Sequence, residues 1–413
     1  MELRLGPREV MQQNKDEITQ VNFTDENDIV NLINEMLKNA FQKNTSDIHI
    51  EPKEKMIHIK FRIDGQFFLY KNYPRDIYGY LKRRIKVTGG LKIDESRVPQ
   101  DGKTAFKFGN ETISLRISSF PTVQDEKIVI RILSNQNKDS SLETLGFSES
   151  HMEKIEKALQ RKNGLVVATG PTGSGKSTTL FSLLKTYDSF VTNIATLEDP
   201  VEFQMKDVNQ TQINTEIGFT FALGLRSLVR QDVDVIMVGE IRDKETMKLA
   251  IEASLTGHEV YSTIHSNSAV STITRFLNIG IESFLLASSL KLIIAQRLVL
   301  KICPHCREKF VIKEKTLKKV EAEIGKLVDK PVSELEFFRP KGCDECNDSG
   351  YKGRIGVYEI LAISPKIEEL LLDGANESVI SKQAEVEGMT TLRQDALLKA
   401  SRGETSIDEA FKV

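Results

Sequence analysis

The stretch that decides the fold reads Gly170-Pro171-Thr172-Gly173-Ser174-Gly175-Lys176-Ser177. An apolar run at residues 165–168 precedes it, and a segment with helical spacing follows it. A glycine-rich turn between a strand and a helix is the context of a phosphate-binding loop, or P-loop. Glycines permit backbone angles at which successive N–H groups surround an anion, and the helix N-terminus adds a positive dipole end. The sequence therefore predicts a nucleotide-binding site, with a fortuitous glycine turn as the alternative.

The motif also assigns individual roles. Lys176 is expected to reach the β- and γ-phosphates of ATP, and the Ser177 hydroxyl is expected to help hold Mg²⁺. The full set of expected nucleotide-binding residues is Gly170, Pro171, Thr172, Gly173, Ser174, Gly175, Lys176, Ser177 and Thr178.

Length and composition limit the class of protein. The chain has 413 residues, of which 39% are hydrophobic and 28% charged, and this is ordinary for two or three globular domains. A net charge of −2 gives no sign of bulk affinity for nucleic acid. The polar N-terminus contains no apolar segment of signal-peptide length, and no apolar run approaches the roughly 20 residues that cross a bilayer. We expect a cytoplasmic protein with no direct membrane insertion and no nucleic-acid partner.

The residue pattern changes along the chain and predicts six segments. Residues 21–133 combine a helix near 29–40, two hairpins and a final strand into a small α+β domain. A second predicted helix, 78–87, carries four basic residues that we interpret as a solvated or subunit-facing surface, namely Lys82, Arg83, Arg84 and Lys86. The expected segments are a flexible tail 1–20, the N-terminal domain 21–133, a linker 134–146, an ATPase core 147–300, a four-cysteine subdomain 301–357 and C-terminal helices 358–413.

Strands and helices alternate in the predicted core. This alternation predicts an α/β fold with a parallel sheet and a site at the carboxyl ends of its strands. The expected strands are 165–169, 194–197, 235–238 and 260–264, and the expected helices are near 176–187, 221–229, 244–255 and 269–277.

Two glutamates follow neighbouring strands of this sheet. A nucleotide hydrolase needs a carboxylate for Mg²⁺ or its waters and one to orient or deprotonate the attacking water. Glu198 and Glu240 are the expected pair, although either could instead be an exposed cap or loop charge. The residue before Glu240 is Gly239, where an aspartate is usual, so we expect carboxylate-bound waters to complete the magnesium shell. The sequence does not say which glutamate is the base.

Two histidines flank the fourth strand. We place both His258 and His265 near the crevice, where a γ-phosphate sensor, a subunit contact and a structural role all remain open. Arg226, Arg230 and Arg242 are similar candidates for reading the phosphate or bracing the carboxylates.

All four cysteines lie in two C-x-x-C pairs, Cys303/Cys306 and Cys343/Cys346. Each two-residue spacer lets both thiolates reach one ion, and two pairs make a closed tetrahedral S₄ site. We therefore expect structural zinc, with a redox pair or free thiols as alternatives. His305 is interpreted as a bystander, and residues 314–330 are expected to project as an arm.

Several of these motifs, taken in order, resemble those of the secretion-superfamily ATPases, with the type II secretion and type IV pilus assembly ATPases (the GspE/PilB family) as the best match. Four of them correspond to the Walker A, Asp box, Walker B and His box of that superfamily. They are the P-loop, the segment 197–202, the segment 235–243 and the segment that holds His258 and His265. Resemblance extends over most of the chain, through residues 46–52, 62–65, 97–102 and 390–395.

This resemblance implies a RecA-like core in a homo-hexameric ring that works on an inner-membrane platform protein. It also implies arginines supplied from outside the local P-loop, at positions matched by Arg116 and Arg131, with outward strand arginines as the plainer interpretation. His265 matches the His box. Many members carry a further N-terminal domain that docks on the membrane assembly. Only about 20 residues precede the first predicted helix, so we expect that domain to be absent and the platform to contact the ring face.

The resemblance leaves the cargo open between a type IV pilus and a type II secretion pseudopilus. A DNA-uptake or conjugation-type ATPase of the same superfamily is an alternative. A nucleic-acid translocase and a nucleotide-gated scaffold with negligible turnover are two further alternatives. Near-neutral charge disfavours the translocase, and the two glutamates disfavour the scaffold.

Overall fold

The computed structural model describes residues 19, 26–109, 111–133, 141–202 and 204–413. The chain divides into two compact units, residues 1–137 and 138–413. The predicted tail, apart from Thr19, and residues 134–140 of the predicted linker lie outside the described residues. Within the described part of the chain, no helix has both the length and the apolar character that crossing a membrane requires.

The N-terminal unit is a six-stranded antiparallel sheet with two helices on one face, in the strand order β3-β2-β1-β6-β5-β4. Aliphatic residues from both helices and from alternate strand positions form its core. The elements are α1 (Glu26–Gln42), β1 (Thr45–Pro52), β2 (Met56–Ile63), β3 (Gln66–Pro74), α2 (Tyr78–Thr88), β4 (Gln100–Phe108), β5 (Glu111–Pro121) and β6 (Glu126–Leu133).

Strand β1 is central to this sheet, although the sequence patterns above predict no strand there. It pairs with β2 on one side and β6 on the other. Ile48 and Ile50 are fully buried, and His49 between them points to the opposite face. This segment contains too few apolar residues for the sequence pattern alone to predict a strand.

Helix α2 corrects the interpretation of its basic residues. Lys86 is fully buried, and its Nζ lies 2.8 Å from Glu126 Oε1. Lys82 pairs with Asp125 at 2.6 Å. The prediction of a solvated surface is therefore wrong for Lys86. Its ammonium group can be buried because the Glu126 carboxylate and the Glu95 carbonyl oxygen accept its hydrogen bonds.

The C-terminal unit is built on a seven-stranded sheet in the order β15-β12-β7-β11-β10-β8-β9. All neighbours are parallel except β15, which is antiparallel to β12. Its elements up to the cysteines are α3 (Glu149–Leu159), β7 (Gly164–Thr169), α4 (Lys176–Leu184), β8 (Ile194–Glu198), β9 (Asn209–Gln212), α5 (Phe221–Leu228), β10 (Val235–Val238), α6 (Lys244–Leu255), β11 (Glu259–Ile264), α7 (Ala269–Ile279), α8 (Ser283–Ser289) and β12 (Leu290–Ile302).

The remaining elements surround and follow the cysteine pairs. They are β13 (Glu308–Lys309), α9 (Glu314–Ile324), β14 (Phe338–Arg339), β15 (Tyr351–Ala362), α10 (Pro365–Leu372), α11 (Glu377–Val386), α12 (Leu392–Ser401) and α13 (Ile407–Ala410).

The predicted α/β class and parallel-rich sheet are confirmed. Every residue of β7, β8, β10 and β11 is buried, and apolar clusters cover both faces of the sheet. Continuous burial on both faces explains why these strands read as unbroken apolar runs rather than as alternating patterns. Each of the four predicted strands coincides with an observed strand to within one residue.

Strands β12 and β15 extend the sheet beyond the four predicted strands. The predicted boundary between residues 357 and 358 falls inside β15, which pairs with β12 along most of its length. Buried Lys291 and Gln296 interrupt the apolar run of β12. Lys291 is neutralised by Glu259 at 2.7 Å, a partner that lies 32 residues away in sequence.

Helix α9 does not project as an arm, and that expectation is wrong. Val320 and Ile324 are fully buried. They belong to a cluster that includes Leu392 and Ala396 of α12. The apolar face of α9 therefore packs on the C-terminal helices. An amphipathic helix needs such an apolar surface to cover its apolar side.

A candidate nucleotide site and a four-cysteine cluster

The P-loop needs its glycines for two physical reasons. Gly170, Gly173 and Gly175 have φ values of +151°, +77° and +88°, where side chains are strained. A Cβ on Gly170 would also lie 2.5 Å from the carbonyl oxygen of Gln296, and one on Gly175 would lie 3.2 Å from Gln296 Nε2. The turn thus rests directly on β12 and continues into α4 at Lys176.

The donors around this turn suit a triphosphate. Lys176 Nζ donates to the carbonyl oxygens of Gly170 and Pro171 at 3.0 and 3.1 Å, so its ammonium group is held over the loop. Burial lowers the pKa of Lys176, and the Glu240 carboxylate opposes that effect. Thr169 Oγ1 and Ser174 Oγ are buried without a hydrogen-bond partner among the residues that the structure describes. Glycine backbone, a lysine and unpaired hydroxyls form a donor set that fits ATP with Mg²⁺.

Glu198 ends β8 as a buried carboxylate. Its Oε1 accepts hydrogen bonds from Thr196 Oγ1 at 2.6 Å and from Gln210 Nε2 at 2.9 Å. Burial raises the pKa of Glu198, and these two donors oppose the rise. Sequence analysis did not find Thr196 or Gln210 as supports. Thr196 belongs to the same strand, but Gln210 lies on the short edge strand β9 and has no motif to mark it.

We expect the fall of kcat for ATP hydrolysis at low pH to follow the protonation of Glu198. An ordinary glutamate has a pKa of about 4.3, so a raised value places the loss of activity above that pH. As pH falls through the raised pKa, the carboxylate is protonated and can no longer accept a proton, so kcat falls. Gln210→Leu removes a donor that stabilises the charged form and should move this fall to higher pH. A pH profile of kcat measures this shift.

The control for that profile is Asn209→Leu on the same strand. Asn209 donates to Asn193 at an exposed position and does not contact Glu198 in the bonds described. The pH at which kcat falls should be the same for Asn209→Leu as for the unmodified chain. Equal pH profiles for Gln210→Leu and Asn209→Leu would contradict the role of Gln210 and of the Glu198 carboxylate.

Glu240 follows β10 and joins the P-loop through His265. The Arg242 guanidinium pairs with Glu240 Oε1, and His265 Nε2 lies 4.0 Å from Glu240 Oε2. His265 Nδ1 lies 3.1 Å from the Gly170 carbonyl oxygen, which can only accept, so Nδ1 carries the proton. A cleft of about 490 Å³ opens beside Gly170 and His265. That cleft runs along α7, and its lining includes neither Lys176 nor Glu240. The three predicted residues are brought together at the Gly170 carbonyl oxygen instead, which both Lys176 and His265 contact, with Glu240 beside His265.

The packing around Gly239 explains why a glycine, and not the usual aspartate, precedes Glu240. A Cβ at this position would lie 3.1 Å from the Leu197 carbonyl oxygen and 3.4 Å from Glu198 Cα. Its N–H donates to the same carbonyl at 2.7 Å. Because β8 and β10 approach so closely, a larger residue would displace Glu198.

His258 does not belong to this site, so its placement near the crevice was wrong. It precedes β11, whereas His265 follows it, and six strand residues separate the two ends by about 20 Å. His258 instead caps the end of α6, with Nδ1 2.9 Å from the Ala253 carbonyl oxygen. Of the three arginine candidates, Arg242 braces Glu240, and Arg226 pairs with Glu245 at an exposed position.

Arg116 and Arg131 are cross-strand partners in the N-terminal unit. They face each other on β5 and β6, on the side of the sheet away from its helices. Arg131 Nε lies 2.8 Å from Asp47, and Arg116 lies 3.7 Å from Asp101. Arg131 keeps 59% of its side chain exposed. The pair is thus an accessible cationic surface with only partial neutralisation.

The four cysteines form one cluster. Their Sγ atoms all lie within 4.8 Å of one another, and three measured separations are 3.9, 3.8 and 3.7 Å. Zn–S bonds of about 2.3 Å in a tetrahedron require Sγ–Sγ distances of about 3.8 Å. A disulfide would need about 2.05 Å. The arrangement fits a tetrahedral metal rather than a redox pair.

Backbone groups support the cluster from outside. The N–H groups of Gly342 and Gly350 donate to Cys306 Sγ and Cys346 Sγ at 3.3 and 3.2 Å. Such bonds stabilise thiolates and fix ligand orientation. Cys303 N donates to the Gly350 carbonyl oxygen at 3.0 Å, so the cluster sits where β12 ends and β15 begins.

The fold and site define a P-loop ATPase with a RecA-like core. The chain belongs to the type II/IV secretion system protein family, whose family model matches residues 22–412. It is 40% identical to type II secretion system protein E of Pseudomonas aeruginosa over 389 residues, which are 94% of this chain and 76% of that protein. It is also 40% identical to the type IV pilus assembly ATPase PilB of the same organism over 390 residues, which are 94% of this chain and 68% of PilB. The resemblance to the GspE/PilB family is thereby confirmed.

Solved structures show the same architecture. The pilus retraction motor PilT with bound ADP is similar at a TM-score of 0.62 and 26% identity, covering 92% of this chain and 96% of that one. The Legionella pneumophila ATPase DotB matches at a TM-score of 0.69 and 21% identity, covering 95% and 96%. The DotB likeness supports the fold alone.

Proposed function

We propose that this chain is the ATP-hydrolysing motor of a type IV pilus or type II secretion pseudopilus assembly machine. It acts as a homo-hexamer at the cytoplasmic face of the inner membrane and drives a membrane-embedded platform protein. The observation that carries the proposal is the contact series Glu240–His265–Gly170, which links a carboxylate, a histidine and the P-loop in a member of this family. Relatives named for pilus assembly and for secretion are equally similar, so both cargoes stay within the proposal.

The site residues divide the work by their surroundings. Lys176 and the P-loop N–H groups hold the triphosphate, and Ser177 helps to hold Mg²⁺. Glu198 is the proposed base, because burial raises its pKa and neutral donors bind its carboxylate. Glu240 is neutralised by Arg242 and is better suited to hold Mg²⁺-bound water and to orient His265.

The cysteine cluster holds Zn²⁺ in this proposal. Four thiolates close the coordination shell, so the ion supplies stability and no open catalytic position. Cys303, Cys306, Cys343 and Cys346 are the ligands, supported by the tetrahedral Sγ separations.

Arg116 and Arg131 complete the site from outside the local P-loop. Their guanidinium groups would neutralise charge that develops on the γ-phosphate. The accessible pair on β5 and β6 supports this role, since more than half of the Arg131 side chain is exposed and can be reached by a phosphate. Removing an exposed pair costs the fold about 1 kcal/mol or less, so an arginine variant should remain folded.

A mixing experiment tests the shared site. Arg131→Ala and Lys176→Ala subunits should each be inactive alone, and mixed rings should recover part of the phosphate release, since some interfaces combine an intact P-loop with an intact arginine. The control mixes Lys176→Ala with Glu240→Gln, two changes in the same unit of the chain, and should give no recovery. No recovery at any ratio of the first pair would contradict arginines supplied by another subunit.

A further inference from the structure

Gln296 of β12 touches both ends of the P-loop turn. Its backbone carbonyl oxygen is the atom that a Cβ on Gly170 would strike at 2.5 Å. Its side-chain Nε2 donates to the Ser174 carbonyl oxygen at 2.7 Å, and a Cβ on Gly175 would lie 3.2 Å from that Nε2. Gln296 is only 1% exposed, so this hydrogen bond is shielded from water.

The bond to Ser174 fixes the direction of a phosphate-binding group. In a trans peptide the C=O of one residue and the N–H of the next point in opposite directions. When Gln296 holds the Ser174 carbonyl toward β12, the Gly175 N–H points away from β12, on the opposite side of the chain. Because glycine lacks a Cβ, the backbone at Gly175 can adopt many conformations, and a neighbouring contact must hold it at the φ of +88° that the turn needs.

Arg297 extends the same support to the histidine segment. Its guanidinium donates to the carbonyl oxygens of Gln296 and Asn267, each at 3.1 Å. Asn267 lies two residues after His265, whose ring contacts the Gly170 carbonyl oxygen. Two adjacent residues of β12 therefore contact the P-loop and the segment that carries His265.

We propose that Gln296 is a positioning residue of the nucleotide site, which orients the P-loop amides before the triphosphate binds. The inference rests on the proposed function, because it assumes that this loop binds ATP. Gln296 itself does not touch the nucleotide. Its loss should weaken binding because the loop amides must then be ordered at the expense of binding energy.

Two variants test the role with fluorescent ATP as the probe. Gln296→Met keeps the volume but lacks the donor, and we expect the nucleotide Kd to rise about tenfold, the effect of one buried hydrogen bond. Gln296→Glu can donate only when protonated. The ratio of its Kd to that of the unmodified chain should therefore rise with pH, a result that a merely structural role would not give.

The control is Thr405→Val, which removes a buried hydrogen bond of the same length, 2.7 Å, to the Leu300 carbonyl oxygen of the same strand. It should lower the unfolding midpoint and leave Kd unchanged. A Kd within twofold of normal for both Gln296 variants, with a flat pH ratio and no binding by Lys176→Ala, would overturn the inference. Normal binding by Lys176→Ala would instead overturn the proposed function.

Discussion

Replacing Lys176 with alanine should lower kcat/KM for ATP at least about 100-fold, the usual cost of losing one preorganised donor at a site of developing charge. Lys176 begins α4, and its ammonium group lies over the loop, within hydrogen-bonding distance of the Gly170 and Pro171 carbonyl oxygens. Alanine is a good residue in a helix, so the fold should be retained. Phosphate release and nucleotide titration measure the loss, and circular dichroism checks the fold.

Glu240→Gln is the matched control for that experiment. The amide keeps the size of the side chain and removes the charge, so ATP should still bind while hydrolysis falls. The two variants thus separate binding from chemistry at residues of one crevice. Normal turnover by folded Lys176→Ala would exclude this P-loop from the mechanism, whereas normal turnover by Glu240→Gln would remove only the magnesium role.

The sequence signals of the proposed nucleotide site are local. The P-loop requires glycine at three positions of one short turn, and the buried parallel strands show as short apolar runs bounded by helices. Glu198, Glu240 and His265 could be proposed because each comes at a strand end, and parallel strands place those ends at one edge. His258 was misplaced because it is only seven residues from His265 in sequence, whereas the extended strand β11 between them puts the two at opposite edges of the sheet.

The features that sequence reasoning missed depend on distant partners. Gln210 and Gln296 gain their importance from contacts with Glu198 and Ser174, which are 12 and 122 residues away. The same holds for buried Lys86, whose partner Glu126 is 40 residues away. A polar residue in a single sequence carries no mark of such a partner, so its burial becomes clear only when the fold brings the two together.

The other large effect is expected from Cys303→Ser. The cluster joins the end of β12 to the start of β15, and these two strands form one side of the sheet that carries the P-loop. Loss of a structural metal site is one of the few single changes that cost about 4 kcal/mol or more. Bound zinc should fall from about one per chain to near zero, and the unfolding midpoint should fall by several degrees.

Zinc content by elemental analysis and a thermal melt of the same samples measure both effects. His305→Ala is the matched control, since His305 lies between Cys303 and Cys306 in sequence and is interpreted as a bystander. It should keep its zinc and its midpoint. Adding Cys343→Ser to Cys303→Ser should cost little more, because residues that share one ion act as a unit and their effects do not add. Zinc near zero in the unmodified chain, purified without chelator, would rule out the metal, whereas additive losses of stability would show that the thiols act as separate packing groups.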